Sequence, residues 1–206
     1  MSIDNETQQL SEQTIEYYNQ ELEAFVSNTL NLDMSSLYLE FVQHIKPKGH
    51  ILDAGCGPGR DSLYFINQDF RVTAFDASKA MVTYATKFIG QTVLQMKFDE
   101  VSFVNMFDGV WACASLLHVP LTRIDDVLTR IIRSLVKGGI IYSSFKYGEQ
   151  EIFKNGRIFS SYTEKTFMAL ISRHPGLSIV KIWQTTDIQL NRTEEIWLNT
   201  ICRKEA

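Results

Sequence analysis

The sequence predicts an α/β domain built on an open, mostly parallel sheet with helices on both faces, ending in an antiparallel hairpin. Three observations point to it. Strand-patterned and helix-patterned segments alternate between residues 50 and 146, the pattern of a parallel sheet covered on both sides. The apolar run that begins at His50 breaks into glycines at Gly55, Gly57 and Gly59, and a polar, helix-compatible segment follows. Two β-rich runs, 177–188 and 194–203, are separated only by a short turn at Asn191. A parallel crossover needs about a dozen residues or more, so that pair must be antiparallel.

The elements follow in order. Residues 14–30 carry Ile15, Tyr18, Leu22, Phe25 and Val26 at helical spacing. A second helix is expected over 34–45, with Asp33 as its N-cap. The break at 46–49 leads into a buried strand at 50–55, a helix at 60–68 and a strand at 71–76. Ser78 caps a helix over 78–88. Strands are expected at 92–98 and 107–115, with an amphipathic helix at 123–136 that stops at Gly138 and Gly139. A strand at 140–146, a loop at 147–159 and a helix at 163–173 precede the hairpin.

Composition narrows the class. The 206 residues are 45% hydrophobic, enough for one sizeable domain over 1–206 with a real core. Within it, 1–46 reads as a helical cap, 47–146 as the ligand-binding core, and 147–206 as a substrate-side insert plus hairpin. The net charge of -4 lacks the basic excess of a nucleic-acid binder. The first residues are polar, with no signal-peptide core, and no apolar run approaches the roughly 20 residues of a membrane span. Cys56, Cys113 and Cys202 are odd in number and far apart, which fits neither a disulfide framework nor a metal site. Cys56 and Cys113 read as small core residues. A cytoplasmic protein acting on a small molecule, as monomer or homodimer, is expected, with no metal, membrane or nucleic-acid partner.

In open α/β sheets ligands sit beyond the carboxyl ends of the strands, where the glycines lie. Their missing Cβ atoms let backbone pass close under a ligand. Asp76 ends the next strand, about 20 residues beyond the middle glycine, at the place where an acid binds a ribose diol. The helix N-cap is supplied by Ser78, which leaves Asp76 for the ligand. Dinucleotide sites favour G-x-G-x-x-G; here the third glycine comes one residue early. Asp53 would repel a pyrophosphate and suits a cationic group such as an amino-acid ammonium. These features argue against a nicotinamide oxidoreductase.

The stretches "LDAGCGPGR", "VTAFDAS" and "FDGVWACASLLHVP" resemble the class I S-adenosylmethionine-dependent methyltransferases, over roughly residues 17–203. The flavour is that of the small-molecule, tellurite-resistance-like group. The resemblance implies a Rossmann-like, doubly wound seven-stranded sheet whose last strand is antiparallel. It implies S-adenosyl-L-methionine as cofactor and methyl transfer to a small molecule by in-line displacement. Asp53, Gly55, Cys56, Gly57, Gly59 and Arg60 would hold its methionine part. Asp76 would bind the ribose, with Ala77 beside it, and Met81 would pack near the adenine. The adenine acid expected after the third strand is replaced here, leaving Met96, Lys97 and Phe98 as candidates. Ala114 and Ser115 would lie under the methyl group, and Tyr18 could reach the cofactor from the cap.

His118 is the candidate general base, or else a packing residue before Pro120's turn. No D/N-P-P-Y segment of the nucleic-acid amino-methylating enzymes is present. The acceptor pocket is expected from Tyr17 and Tyr18 and from the 147–159 region onward, with Tyr147, Glu149, Arg157, Phe159 and Tyr162 as its lining, unless that segment is a solvated loop. A non-catalytic cofactor-binding partner protein is the other reading.

Overall fold

A computed structural model describes residues 3–189 and 194–205. The expected turn at Asn191 lies outside the described residues. Seven strands form one sheet: β1 (His50–Ala54), β2 (Arg71–Asp76), β3 (Leu94–Gln95), β4 (Phe107–Ala112), β5 (Leu135–Lys146), β8 (Leu177–Thr186) and β9 (Ile196–Lys204), in the order β3-β2-β1-β4-β5-β9-β8. Strand β9 runs antiparallel to both β5 and β8, and the other pairings are parallel. The expected fold class is therefore the observed one.

The helices are α1 (Ile3–Gln20), α2 (Leu22–Thr29), α3 (Ser35–Val42), α4 (Arg60–Asn67), α5 (Lys79–Ile89), α6 (Ile124–Ser134) and α7 (Glu164–Ile171). Alternation along each strand divides the core. Leu52 and Ala54 pack with Leu128 and Ile131 of α6 and Phe167 and Leu170 of α7. Ile51 faces the other way and joins Phe41 of α3 and Phe65 of α4. On that second face Trp111 stacks on Tyr142 with ring centroids 4.0 Å apart, because the parallel register pairs them across β4 and β5. Each such fully buried ring contributes on the order of 1.5–3 kcal/mol by leaving water. Helix α5 begins as expected: the Ser78 side chain accepts from the Met81 N–H. No helix among the described residues is long and apolar enough to cross a membrane.

Several expectations fail locally, among them the Asp33 N-cap: α3 is capped at Met34 with no side-chain cap bond. The first helix starts at Ile3, not at 14, and breaks at Glu21 into α1 and α2. Helix α6 ends at Ser134, where Leu135 turns extended (ψ 146°). Gly138, with φ +76°, sits inside β5 rather than capping the helix. Strand β3 keeps only Leu94–Gln95 of the segment 92–98. The expected loop at 147–159 contains a two-stranded hairpin, β6 (Glu151–Lys154) and β7 (Arg157–Ser160).

Candidate functional site

A cavity of about 1030 Å³ opens at the carboxyl ends of β1, β2, β4 and β5. Its floor is the glycine turn between β1 and α4. Gly55, Gly57 and Gly59 all have positive φ, at 75°, 54° and 89°. They serve different neighbours. A Cβ on Gly55 would meet Ser115 Cβ at 2.6 Å, and one on Gly59 would meet Ile89 at 2.8 Å, so these two let protein parts approach. A Cβ on Gly57 would find only Phe25, at 3.5 Å. The turn is thus bare toward the cavity at Gly57.

Asp76 closes one side of the floor. Its carboxylate accepts from the Gly57 N–H at 2.9 Å and from the Ser78 N–H at 2.8 Å. Burial raises its pKa, and those backbone bonds pull the other way. Each oxygen keeps a further acceptor site for a ligand. Asp53 does not reach the wall. It is 2% exposed, accepts from the Ser62 hydroxyl at 2.6 Å, and burial first, then the Asp61 charge, push it up to about 8. A carboxylate that does reach the wall is Asp61, in the first turn of α4, which the sequence reading does not single out. It accepts from Tyr38 at 2.5 Å, Trp111 at 2.8 Å and both Nε and Nη2 of Arg60. The clue was its place directly after Arg60, but its buried partners lie 23 and 50 residues away.

The opposite side is apolar. Phe98 and Met96 line it with Lys97 and the fully buried Met81, and Ala77 lies beside Asp76 in the wall. Phe98 meets Phe75 edge-on at 5.3 Å. Ala114 has φ +49° and donates its N–H to Ser144 Oγ at 2.8 Å. Ser115 spends its hydroxyl on the Ala54 carbonyl at 2.6 Å. Both therefore shape the floor with backbone and Cβ, while their polar groups are engaged.

Helix α1 forms the roof. Asn19 Oδ1 accepts from the Ser78 hydroxyl at 2.8 Å and the Ala80 N–H at 3.2 Å. Thr14 accepts the Ile158 N–H of β7 at 3.1 Å. Between these anchors the Tyr18 hydroxyl meets His118 Nε2 at 2.7 Å, and His118 Nδ1 meets the Ile158 carbonyl at 2.6 Å. A carbonyl can only accept, so Nδ1 carries the proton and Nε2 accepts from Tyr18. Burial lowers the His118 pKa to about 4 and raises that of Tyr18 to about 12. The dyad is neutral.

The hairpin β6–β7 supplies the last wall. Arg157 stands over the Tyr17 ring at 4.0 Å and near Phe159 at 5.0 Å. Tyr147 lines the cavity, is 38% exposed and donates to Glu164 at 2.9 Å.

The cavity thus brings together Gly55, Cys56, Gly57, Arg60, Asp76, Ala77, Met81, Met96, Lys97, Phe98, Ala114, Ser115, Tyr18, His118, Tyr147 and Arg157. Asp53, Gly59 and Tyr162 stand behind it. Gly59 is covered by Ala85 and Ile89 of α5. Tyr162 is 4% exposed and packs on Phe145 and Phe167, so it is a core residue and not substrate lining. Cys56 and Cys113 both border the cavity as well as the core, and burial raises both thiols.

Comparison with known proteins agrees with this geometry. Residues 51–139 match the family model described as "Methyltransferase domain". YqeM of Bacillus subtilis (strain 168), to which methyltransferase activity is ascribed, is 33% identical over 113 residues, 50% of this chain and 46% of that one. Sterol 24-C-methyltransferase erg6 of Schizosaccharomyces pombe is 28% identical over 116 residues, 50% of this chain and 29% of that one. The chain thus spans less than half the length of these curated relatives. Among solved structures, the Burkholderia thailandensis 1,6-didemethyltoxoflavin-N1-methyltransferase, with bound 1,6-didemethyltoxoflavin and S-adenosylhomocysteine, superposes with a TM-score of 0.81. It is 20% identical, over 100% of this chain and 92% of that one.

Proposed function

We propose that this chain, whose residues 51–139 match a methyltransferase domain model, is a class I S-adenosylmethionine-dependent methyltransferase that transfers a methyl group from S-adenosyl-L-methionine to a small-molecule acceptor by in-line displacement. The observation that carries the reading is the roofed cavity itself. At about 1030 Å³ it lies at the top of the range of about 300–1,000 Å³ typical for one ligand, which leaves room for a cofactor and an acceptor together.

The residues fit that cofactor. Gly57 leaves its side of the turn bare toward the cavity, Asp76 retains acceptor capacity for a diol, and Met81, Met96 and Phe98 offer an apolar face for a base. The bound cofactor supplies an electrophilic methyl on a sulfonium. The chain's own work is positioning: holding a nucleophile in line can contribute several kcal/mol, up to about 7–11 in the best cases. Helix α1 excludes water from above. Where the acceptor carries a proton, Tyr18 is the group that meets it. Tyr18 passes its own proton to His118 Nε2 as it takes the new one, so the pair shuttles one proton without a free charge at rest. With His118 lowered to about 4, the pair is a weak base. It suits acceptors that lose a proton easily.

The test is transfer. Full-length protein is incubated with S-adenosyl-L-methionine bearing a trideuterated methyl group and a fractionated metabolite extract. The expected result is an enzyme-dependent product heavier by one labelled methyl. Tight cofactor binding with no labelled product across the fractions favours the non-catalytic binding protein instead.

A further inference from the structure

We infer that Arg157 makes this site selective for an acceptor carrying an anionic group, such as a carboxylate or an ionised phenol or heterocycle. The inference rests on the methyltransferase reading and names its substrate class. Three observations carry it.

First, Arg157 is a half-buried cation in the cavity wall, and among the described residues it has no carboxylate partner. Other cations in the wall are compensated or wet. Arg60 is held by Asp61, and Lys146 is paired with Asp187 and Glu195. Lys97, Arg123 and Lys154 are exposed. Second, Arg157 Nε is buried without a hydrogen-bond partner. Buried donors are nearly always satisfied, and a small shift of the half-buried Arg157 side chain would bring this one to an anion in the cavity. Third, the guanidinium is fixed by rings: Tyr17 at 4.0 Å, Phe159 at 5.0 Å and Tyr18 at 5.9 Å. Stacking occupies a face of the group and leaves its edge N–H fork for a planar, bidentate acceptor.

The placement agrees with the chemistry above. Ile158, next to Arg157, binds His118, and Phe159 lies 5.2 Å from the His118 ring. An acceptor anchored on Arg157 therefore lies beside the Tyr18–His118 pair. An anion needs little help from a weak base.

The experiment uses two isosteric probes, 2-naphthoate and 2-naphthamide, titrated calorimetrically into the full chain saturated with S-adenosylhomocysteine. The expected result is about 10- to 100-fold tighter binding of the carboxylate, the scale of a charge-assisted hydrogen bond. Arg157→Gln removes that preference, Arg157→Lys keeps part of it, and both variants bind S-adenosylhomocysteine as the parent does. Equal affinities for the two probes overturn the inference, and so does binding of neither by a protein that takes S-adenosylhomocysteine. If S-adenosylhomocysteine itself fails to bind, the methyltransferase reading falls. The probe preference is then measured on the chain alone, and carboxylate selectivity through Arg157 still stands or fails there.

Discussion

The Tyr18 hydroxyl donates to His118 Nε2 across 2.7 Å, joining the roof helix to the turn after β4. The Ile158 carbonyl fixes the direction of that bond by claiming the Nδ1 proton. The imidazole is thus held as one neutral tautomer. Nitrogen-15 NMR of the histidines should show His118 titrating near 4, well below the ordinary value of about 6.5. A His118 midpoint near 6.5 contradicts the buried dyad. The sign for stability follows. The unfolded chain takes up the proton near 6.5 and the folded chain only near 4, so His118 favours the folded state fully above about 6.5. That contribution is lost as pH falls toward 4, and His118→Asn should flatten the stability curve in that window.

Removing residues 1–30 should leave a folded sheet domain and open the cavity. No residue of α2 is fully buried, and of α1's described side chains only Thr14 is. The core clusters on both sheet faces form without either helix. Circular dichroism should report a retained fold, and calorimetry should report much weaker cofactor binding with no transfer. Cofactor affinity equal to that of the full chain removes the roof from the account.

Asp76→Ala should weaken both cofactor binding and the fold. The sequence alone leaves Asp76 for the ligand, but the carboxylate also satisfies the Gly57 and Ser78 amides. Losing a charged acceptor costs on the order of 1.5–3 kcal/mol for each function. Asp76→Asn should recover part of the stability. Denaturant melts with and without ligand separate the two effects, and an unchanged melt would show that the backbone bonds contribute nothing.

Tyr162→Phe should be neutral or stabilising. The Tyr162 hydroxyl is buried with no partner, and removing an unsatisfied polar group returns about 1–3 kcal/mol of desolvation cost at most. Transfer should be unaffected. A lost activity with an unchanged melt would place Tyr162 back among the acceptor contacts.

The sheet was legible because its signals are local. Strands β1, β2 and β4 begin where their apolar runs do, and Ser78 caps α5 as its sequence context demands. The hairpin β6–β7 carries a local signal too. Asn155 and Gly156 have φ +51° and +76°, the two-residue turn that an Asn-Gly pair specifies between strands. It was masked by the charged residues around it. The glycine pair at 138–139 misled in the other direction: a glycine with positive φ ends a helix or kinks a strand, and here it kinks β5, next to a register shift against β4. The placement of Asp61 in the wall and of Asp53 behind it was not legible. Both are acids near the glycine turn; Ser62 holds Asp53 behind the floor, and the distant Tyr38 and Trp111 contacts hold Asp61 in the wall.

The floor formed by Gly57 and Asp76 is the proposed seat of S-adenosyl-L-methionine. Its most direct test is a thermal and calorimetric titration of the full chain with S-adenosyl-L-methionine and, separately, with nicotinamide adenine dinucleotide. The expected result is saturable binding of the first alone, with about 2.7 kcal/mol of added stability at 100 times Kd, and loss of most of that gain in Asp76→Ala. No binding of S-adenosyl-L-methionine at millimolar concentration, or stabilisation by the dinucleotide instead, would contradict it.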